Sequence, residues 1–466
     1  MPRPVQVSSN ALTLQMQSSG VASAQQLANS LGVDRSTVSR ALSGLGNAVL
    51  RIGAARSARY ALRRSARNLG RRWPLHRIDA NGRAHHRGEL HALHGGFYWE
   101  TAGESPAWLR HGYANGVFPG LPFFLSDMRP QGFLGRAFAR EWGPLHGGPA
   151  DLQQWQDDDA LMAMVLAGDD LPGDLLLGDP ALAAAMQAGQ DHSGGTISSV
   201  GRSQRYAVLA DQAMRGGAAG SSAGGEQPKF AATVRDENGD ERAVLVKFSP
   251  PMDTPSGRRW ADLLAAECQA LRLLAEQGHA AAPVQLLEGG GRRFLEVTRF
   301  DRIGTSGRRG LLTLEAIEAG LIDEPAGDWP AVARAMESAG LLAGEDTQAL
   351  RRRWCFGQLT GNTDMHLSNA SVWFGDDEPF RLAPAYDMLP MVFVPGAQGE
   401  IVQRNFTPLP PLPRLHEDWA AVAPWTLQYW RRVTEDERIS SEFREMARRA
   451  CDDVARVTAD WGGSIV

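Results

Sequence analysis

Only two of the 48 basic residues in this 466-residue chain are lysines, Lys229 and Lys247. A chain that uses Arg wherever a positive charge suffices keeps lysine where a compact ammonium on a thin stem is needed. Lys247 lies in the apolar run AVLVKF. A lysine there is ordinarily an edge residue with its head in water, but in so Arg-biased a chain it is a candidate for pairing nucleotide phosphates. Glu267, on the helical segment that follows, is its candidate partner, with a solvated helix glutamate the equally open alternative. Lys229 closes the stretch GGAAGSSAGGEQPK (216–229), where Gly220, Gly224 and Gly225 let backbone amides approach a phosphate. Neither the GxGxxG nor the GxxxxGK[ST] fingerprint is present, and alone such a stretch reads as a linker.

A third cluster is more specific. Gly361 to Asn369 reads GNTDMHLSN, and Asp387 follows eighteen residues after Asn369 in LAPAYD. Phosphoryl transfer needs a carboxylate to orient and deprotonate the acceptor hydroxyl, and hard oxygen ligands for Mg²⁺. Asp-x4-Asn followed by a second Asp supplies these in the order that kinases use. Asp364 is then the base, Asn369 and Asp387 the metal ligands, and His366 a scaffold for the loop.

The elements that would position these residues follow from pattern. FAATVRD and RAVLVKF flank Asn238-Gly239 as a hairpin. Residues 261–277 form a helix, 293–300 a strand, and the remainder is mostly helical. Upstream, 75–150 reads as a small α+β subdomain, 151–190 as helices, and 194–225 as loop. At the N-terminus, SAQQLANSLGVDRSTVSRALSG (23–44) has apolar residues at helical spacing on both sides of Gly32-Val33, with Asp34 placed to cap the second helix. That is a helix-turn-helix pattern, with Arg35, Ser36, Thr37, Ser39 and Arg40 outward, followed by a two-stranded wing carrying Arg56 and Arg59. Residues 1–74 hold eleven arginines against one acid, whereas the whole chain is at −5. Such a basic head on an acidic body suits a polyanion. Three scattered cysteines (Cys268, Cys355, Cys451), no CxxC pair and no apolar run of membrane length point to a cytoplasmic protein.

The set SSAGGEQPKF, VLVKF, LEVTRFDR, GNTDMHLSNASV and LAPAYDML, together with DMRPQGFLGR (127–136), resembles the HipA family of bacterial Ser/Thr protein kinases, in particular its YjjJ-like branch. The resemblance covers residues 75–450. It implies an α+β, two-lobed kinase fold preceded by a winged helix-turn-helix. The expected domains are 1–70, 75–297 (N-lobe with the family's N-terminal subdomain) and 298–466 (helical C-lobe). It also implies Asp364 as catalytic residue, Asn369 and Asp387 as Mg²⁺ ligands, and Lys247 on the ATP phosphates. Ala223, Gly224, Gly225, Glu226, Gln227 and Lys229 form the implied phosphate loop, and Thr298, Arg299 and Phe300 the hinge that reads adenine through backbone groups. Ser221, or its neighbour Ser222, aligns with the serine that family members phosphorylate in their own loop. Family substrates include aminoacyl-tRNA synthetases. Family members pair with a DNA-binding antitoxin; here the DNA-binding segment is fused, which leaves a separate antitoxin open. The loop also departs from the family, reading Gly-Glu-Gln-Pro-Lys in place of Ala-Gln-Glu-Lys.

The leading expectation is an ATP·Mg²⁺-dependent protein Ser/Thr kinase of toxin type that also binds DNA, with no membrane partner and a homodimer suited to paired half-sites. Two alternatives remain: a transcription regulator whose kinase fold senses nucleotide, and a metal-dependent nuclease using Asp364 and Asp387. A strand lysine beside a glycine loop argues against the nuclease, which has no evident need for one.

Overall fold

The computed structural model describes residues 7–190, 195–215, 227–396, 398–402 and 404–461, with only the backbone of Arg56 and Gln190. Ser221, Ser222, Ala223, Gly224, Gly225 and Glu226 lie outside the described residues.

The N-terminal unit packs helices α1 (Ser9–Ser19), α2 (Ala24–Leu31) and α3 (Arg35–Gly44) around Leu12, Met16, Leu27, Val38 and Leu42. Strand β1 (Ala22–Ser23) joins the hairpin β2 (Val49–Ile52) and β3 (Arg59–Leu62) in the order β1-β3-β2. Ser23 caps α2 in a capping box with Gln26. Asp34 occupies the position before α3, but its side chain makes no capping bond. This unit is not tethered loosely. Arg63 bridges to Leu93, the Arg64 amide donates to the Ala92 carbonyl, and the Arg64 guanidinium reaches Asp158 at 2.7 Å. Leu50, Ile52 and Ala61 bury against Leu93, Tyr98 and Val117 of the next domain.

That middle domain is an antiparallel sheet of β4 (Arg72–Ile78), β5 (Ala84–Leu93), β6 (Gly96–Thr101), β7 (Val117–Phe118) and β8 (Leu175–Leu177), ordered β7-β6-β5-β4-β8. Helices α4 (Gly132–Leu145), α5 (Asp157–Ala167) and α6 (Asp179–Gln190) complete it. Its aromatic core runs directly into the C-lobe. Trp108 lies against Trp99, Phe123 and Phe374, and its indole donates to the Gly375 carbonyl at 3.1 Å.

The central sheet is ordered β12-β13-β11-β10-β9, from β9 (Ile197–Ser198), β10 (Lys229–Arg235), β11 (Glu241–Phe248), β12 (Val284–Gly289) and β13 (Arg292–Thr298). Helix α7 (Arg202–Met214) covers one face and α8 (Pro255–Glu276) the other. The sequence predicts loop through 194–225, but α7 forms there. Tyr206, Ala210 and Ala213 share a helical face buried on Phe230, Val244 and Phe294, and flanking glycines hide that periodicity. Helix α8 begins six residues before the expected start, with Thr254 capping it and Pro255 at its first position. The hairpin forms as its sequence predicts, with a five-residue loop, Asp236–Asp240, in which the Asp236 carboxylate accepts from the Asn238 and Asp240 amides.

The C-terminal half carries the ribbon β14 (Arg302–Ile303) and β15 (Gly307–Arg308). A small sheet follows, of β16 (Leu311–Thr313), β17 (Ser371–Trp373) and β18 (Arg381–Leu382). Helices α9 (Leu314–Leu321), α10 (Trp329–Ser338), α11 (Gly344–Leu359), α12 (His416–Glu435) and α13 (Ser441–Trp461) complete it. Among the described residues no helix is long and apolar enough to cross a membrane. Because Trp108 joins two domains, Trp108→Ala should cost about 3–5 kcal/mol. Chemical denaturation should show this as a lowered midpoint.

Candidate functional site

Strand alternation sorts β11 into two functions. Val244, Val246 and Phe248 face α7, whereas Leu245 and Lys247 face the opposite side. Lys229 and Lys247 are direct cross-strand partners in the β10–β11 register. Both lysines of the chain therefore project from neighbouring positions of one sheet face, and both are buried. Lys247 Nζ donates to Glu267 Oε1 at 2.6 Å and also to Asp387 Oδ1. Glu267 sits in the middle of α8 with no solvent exposure. Burial opposes the Lys247 charge, but Asp387 and Glu267 outweigh it and hold the ammonium protonated. Burial also pushes the Asp387 carboxyl up, and the two lysines reverse this to a net lowering. At Glu267 burial prevails over Lys247, so that carboxyl is raised.

The C-lobe supplies the facing wall. Helix α11 ends at Leu359, and the loop after it is held by its own side chains. Asn362 Nδ2 donates to the Asp387 carbonyl at 3.1 Å, while its Oδ1 accepts from the Asp364 amide at 3.1 Å. One buried amide thus ties the segments carrying both acids. Asn369 Nδ2 donates to the Asp364 carbonyl at 2.7 Å, which leaves Oδ1 as its acceptor atom. The Trp329 indole donates to the His366 carbonyl at 2.9 Å. Met365 packs onto Gly357 of α11, where any Cβ would collide with its sulfur. Asp387 holds φ +53, a conformation uncommon for a residue with a Cβ, maintained here from both ends by Asn362 and Lys247. His366 Nε2 lies 3.9 Å from Asp364 Oδ2, and both side chains are about half exposed.

These groups converge on a cleft between the lobes. Lys229, Lys247, Glu267, His366, Asn369 and Asp387 line it together with Val297 to Asp301. Asp364 and Gln227 line an adjoining cavity that shares Lys229, His366, Asn369 and Asp387. The hinge is more committed than the sequence suggests. The Thr298 and Arg299 amides already donate to the Pro283 and Ala243 carbonyls, both at 2.9 Å. The Arg299 side chain turns to Asp170 at 2.7 Å and Asp301 at 3.0 Å. Both amides are thus engaged within the fold.

Sequence reasoning missed the third wall. Asp127, Gln131 and Pro172 of the middle domain also line the cleft. The Asp127 carboxylate accepts from the Thr313 amide and hydroxyl, each at 2.7 Å, and burial pushes its pKa up to about 6. Its motif, DMRPQGFLGR, was visible in the sequence as part of the family likeness. Tyr386, between the strand and Asp387, donates to the Ser368 carbonyl at 2.8 Å and pins the turn after His366. Among the described residues no three His, Cys, Asp or Glu side chains could hold a metal. A divalent ion here would rest on Asp387, on Asn369 and on oxygens that a ligand or water brings. That donor set suits Mg²⁺, which keeps waters and phosphate oxygens in its shell.

On the basic head, Arg35, Ser36, Ser39 and Arg40 are exposed on one face of α3 while Val38 and Leu42 are buried, and Thr37 is partly covered. Arg59 is exposed at the start of β3; the Arg56 side chain lies outside the described residues.

Residues 221–461 match the family model described as HipA-like C-terminal domain, and residues 69–186 the one described as YjjJ-like toxin, middle domain. Toxin YjjJ of Escherichia coli (strain K12) is 34% identical over 441 residues, which is 94% of this chain and 96% of that protein. The chain belongs to the YjjJ-like branch of the HipA toxin family. Similar solved structures include the Shewanella oneidensis MR-1 complex of HipA, HipB and operator DNA. It is 17% identical with a TM-score of 0.34, over 50% of this chain and 63% of that one. The Helicobacter pylori proinflammatory kinase CtkA is 12% identical with a TM-score of 0.34, over 50% and 92%.

In this YjjJ-like chain Asn362 is a positioning residue rather than a reacting one. Asn362→Ala should cost about 1–3 kcal/mol through two lost buried hydrogen bonds. Thermal denaturation should register that loss, and serine or aspartate at 362 should restore only the half of the bridge that accepts from the Asp364 amide.

Proposed function

We propose that the protein is an ATP- and Mg²⁺-dependent protein Ser/Thr kinase of toxin type, carrying a DNA-binding head. The observation that carries this reading is the convergence of both lysines, Glu267, Asn369 and Asp387 on one cleft, with Asp364 at its open side. Bound at Asp387 and Asn369, Mg²⁺ would neutralise charge on the terminal phosphates. Lys247, oriented by Glu267, pairs with phosphate oxygens, and Lys229 adds a second ammonium on the same face. Asp364 accepts the proton of the acceptor hydroxyl as its oxygen bonds to the γ-phosphorus and the bond to the β–γ bridging oxygen breaks, releasing ADP. A nuclease reading gives these two buried lysines no task, whereas a triphosphate needs both.

For the head, the exposed α3 face with Arg35 and Arg40 supports entry into a major groove, with Arg59 against the backbone. The firm packing of this unit on Leu93, Tyr98 and Val117 makes point substitutions a cleaner probe than truncation.

Asp364→Ala should lower transfer of labelled γ-phosphate from ATP by about 10²–10⁴-fold while leaving nucleotide affinity intact. Near wild-type transfer in this variant would remove Asp364 from the mechanism. Arg35→Ala with Arg40→Ala should weaken DNA binding and reduce the slope of log K against log salt by about two, measured by fluorescence anisotropy, with nucleotide affinity unchanged.

A further inference from the structure

The adjoining cavity has a composition that phosphate chemistry does not explain. Apart from the groups it shares with the cleft, and from Asp364 and Gln227, its wall is Pro228, Pro250, Trp260, Leu389, Met391 and Val394. Leu389 is buried, and the other five are partly exposed toward the space they enclose. Two of the six are prolines, which offer no backbone N–H. The wall draws on both lobes: Pro228 and Pro250 flank the lysine strands, Trp260 stands on the first turns of α8, and Leu389 to Val394 follow Asp387.

A general base must reach the proton it removes, so the acceptor hydroxyl has to stand within hydrogen-bond distance of Asp364. Whatever flanks that hydroxyl then lies against this wall. A sugar, a nucleotide or another polyhydroxylated acceptor would leave polar groups unpaired against prolines and aliphatic side chains. An acidic neighbour would be repelled by Asp364 and Asp387 and, with Lys229 given to phosphate, would lie unpaired against the apolar wall. A large apolar side chain is accommodated against the six apolar members of this wall.

We infer that the acceptor is a Ser or Thr in a protein segment whose adjacent residue is large and apolar, and that Trp260, Met391 and Val394 form the pocket that receives it. This inference rests on the phosphotransferase reading above and specifies the acceptor for the same site.

The test uses the full-length protein with Mg²⁺, γ-labelled ATP and peptides carrying one central serine. The neighbours of that serine are Leu, Phe, Gly or Asp in turn. The expected result is a kcat/KM at least about tenfold higher for Leu or Phe than for Gly or Asp. Val394→Asp and, separately, Trp260→Ala should shrink that ratio to about twofold or less, with KM for ATP unchanged as evidence of an intact fold. Equal rates across the peptides overturn the pocket and leave the phosphotransferase reading standing; so does a ratio unchanged in both variants. Self-labelling without transfer to any peptide also overturns it. Absence of peptide transfer, self-labelling and ATP hydrolysis together overturns the reading and the inference at once.

Discussion

A single ammonium held between two carboxylates, out of reach of bulk water, is the constraint from which the rest of this molecule follows. Desolvating such ions costs several kcal/mol each, and their attraction offsets that only when every partner is in place. Lys247 therefore cannot be buried unless α8 delivers Glu267 and the C-lobe delivers Asp387. Those partners come from elements 20 and 140 residues away in sequence. The lobes are joined at the point where the charges must balance. As a device for stability this is a poor choice, since apolar side chains of equal volume do as well. The proposed function gives it a use, since a pair of neighbouring ammonium groups suits a polyphosphate.

The middle domain makes the cleft three-walled. Asp127 does not reach in from a separate module. Its carboxylate holds the amide and hydroxyl of Thr313, and Thr313 in turn caps α9. The start of the C-lobe is thus fixed by a residue nearly two hundred positions earlier. Arg302 adds a second tie, donating to the Gly173 and Leu171 carbonyls just beyond the hinge. A loop–helix segment of the middle domain and the segment after β13 are therefore tied together at the edge of the cleft.

Much of the chemistry was legible because it depends on residue type. Rare lysines, an Asp-x4-Asn and a later Asp are visible without coordinates. Their convergence was legible only as an expectation, since register and helix placement decide it; nothing in the sequence says that Lys229 pairs across from Lys247. The hairpin was legible from the Asn-Gly signal, whereas the Asp236 carboxylate that holds its five-residue loop was not. Helix α7 was hidden by the glycines around it, although Arg202 and Tyr206 both turn to Glu296 from its first turns. At the hinge, the residues were legible and their availability was not. Whether an amide is free to read a base depends on which strand lies beside it.

The docking of the basic head bears on how DNA and nucleotide could be sensed together. A head on a flexible linker would bind DNA independently of the state of the cleft. Here β3 leads through Arg63 and Arg64 straight onto β5, and β5 pairs with β6, whose Trp99 stacks on Trp108. Trp108 touches Phe374, one residue past β17, and β17 pairs with β16, whose last residue is Thr313. A continuous packed path thus runs from the base of the N-terminal helical unit to the residue that Asp127 holds at the cleft. Contiguity of this kind permits coupling without proving it, because coupling requires an element with two arrangements. In this molecule the Lys247–Asp387 contact is a tie between the lobes that the proposed metal–triphosphate would have to share.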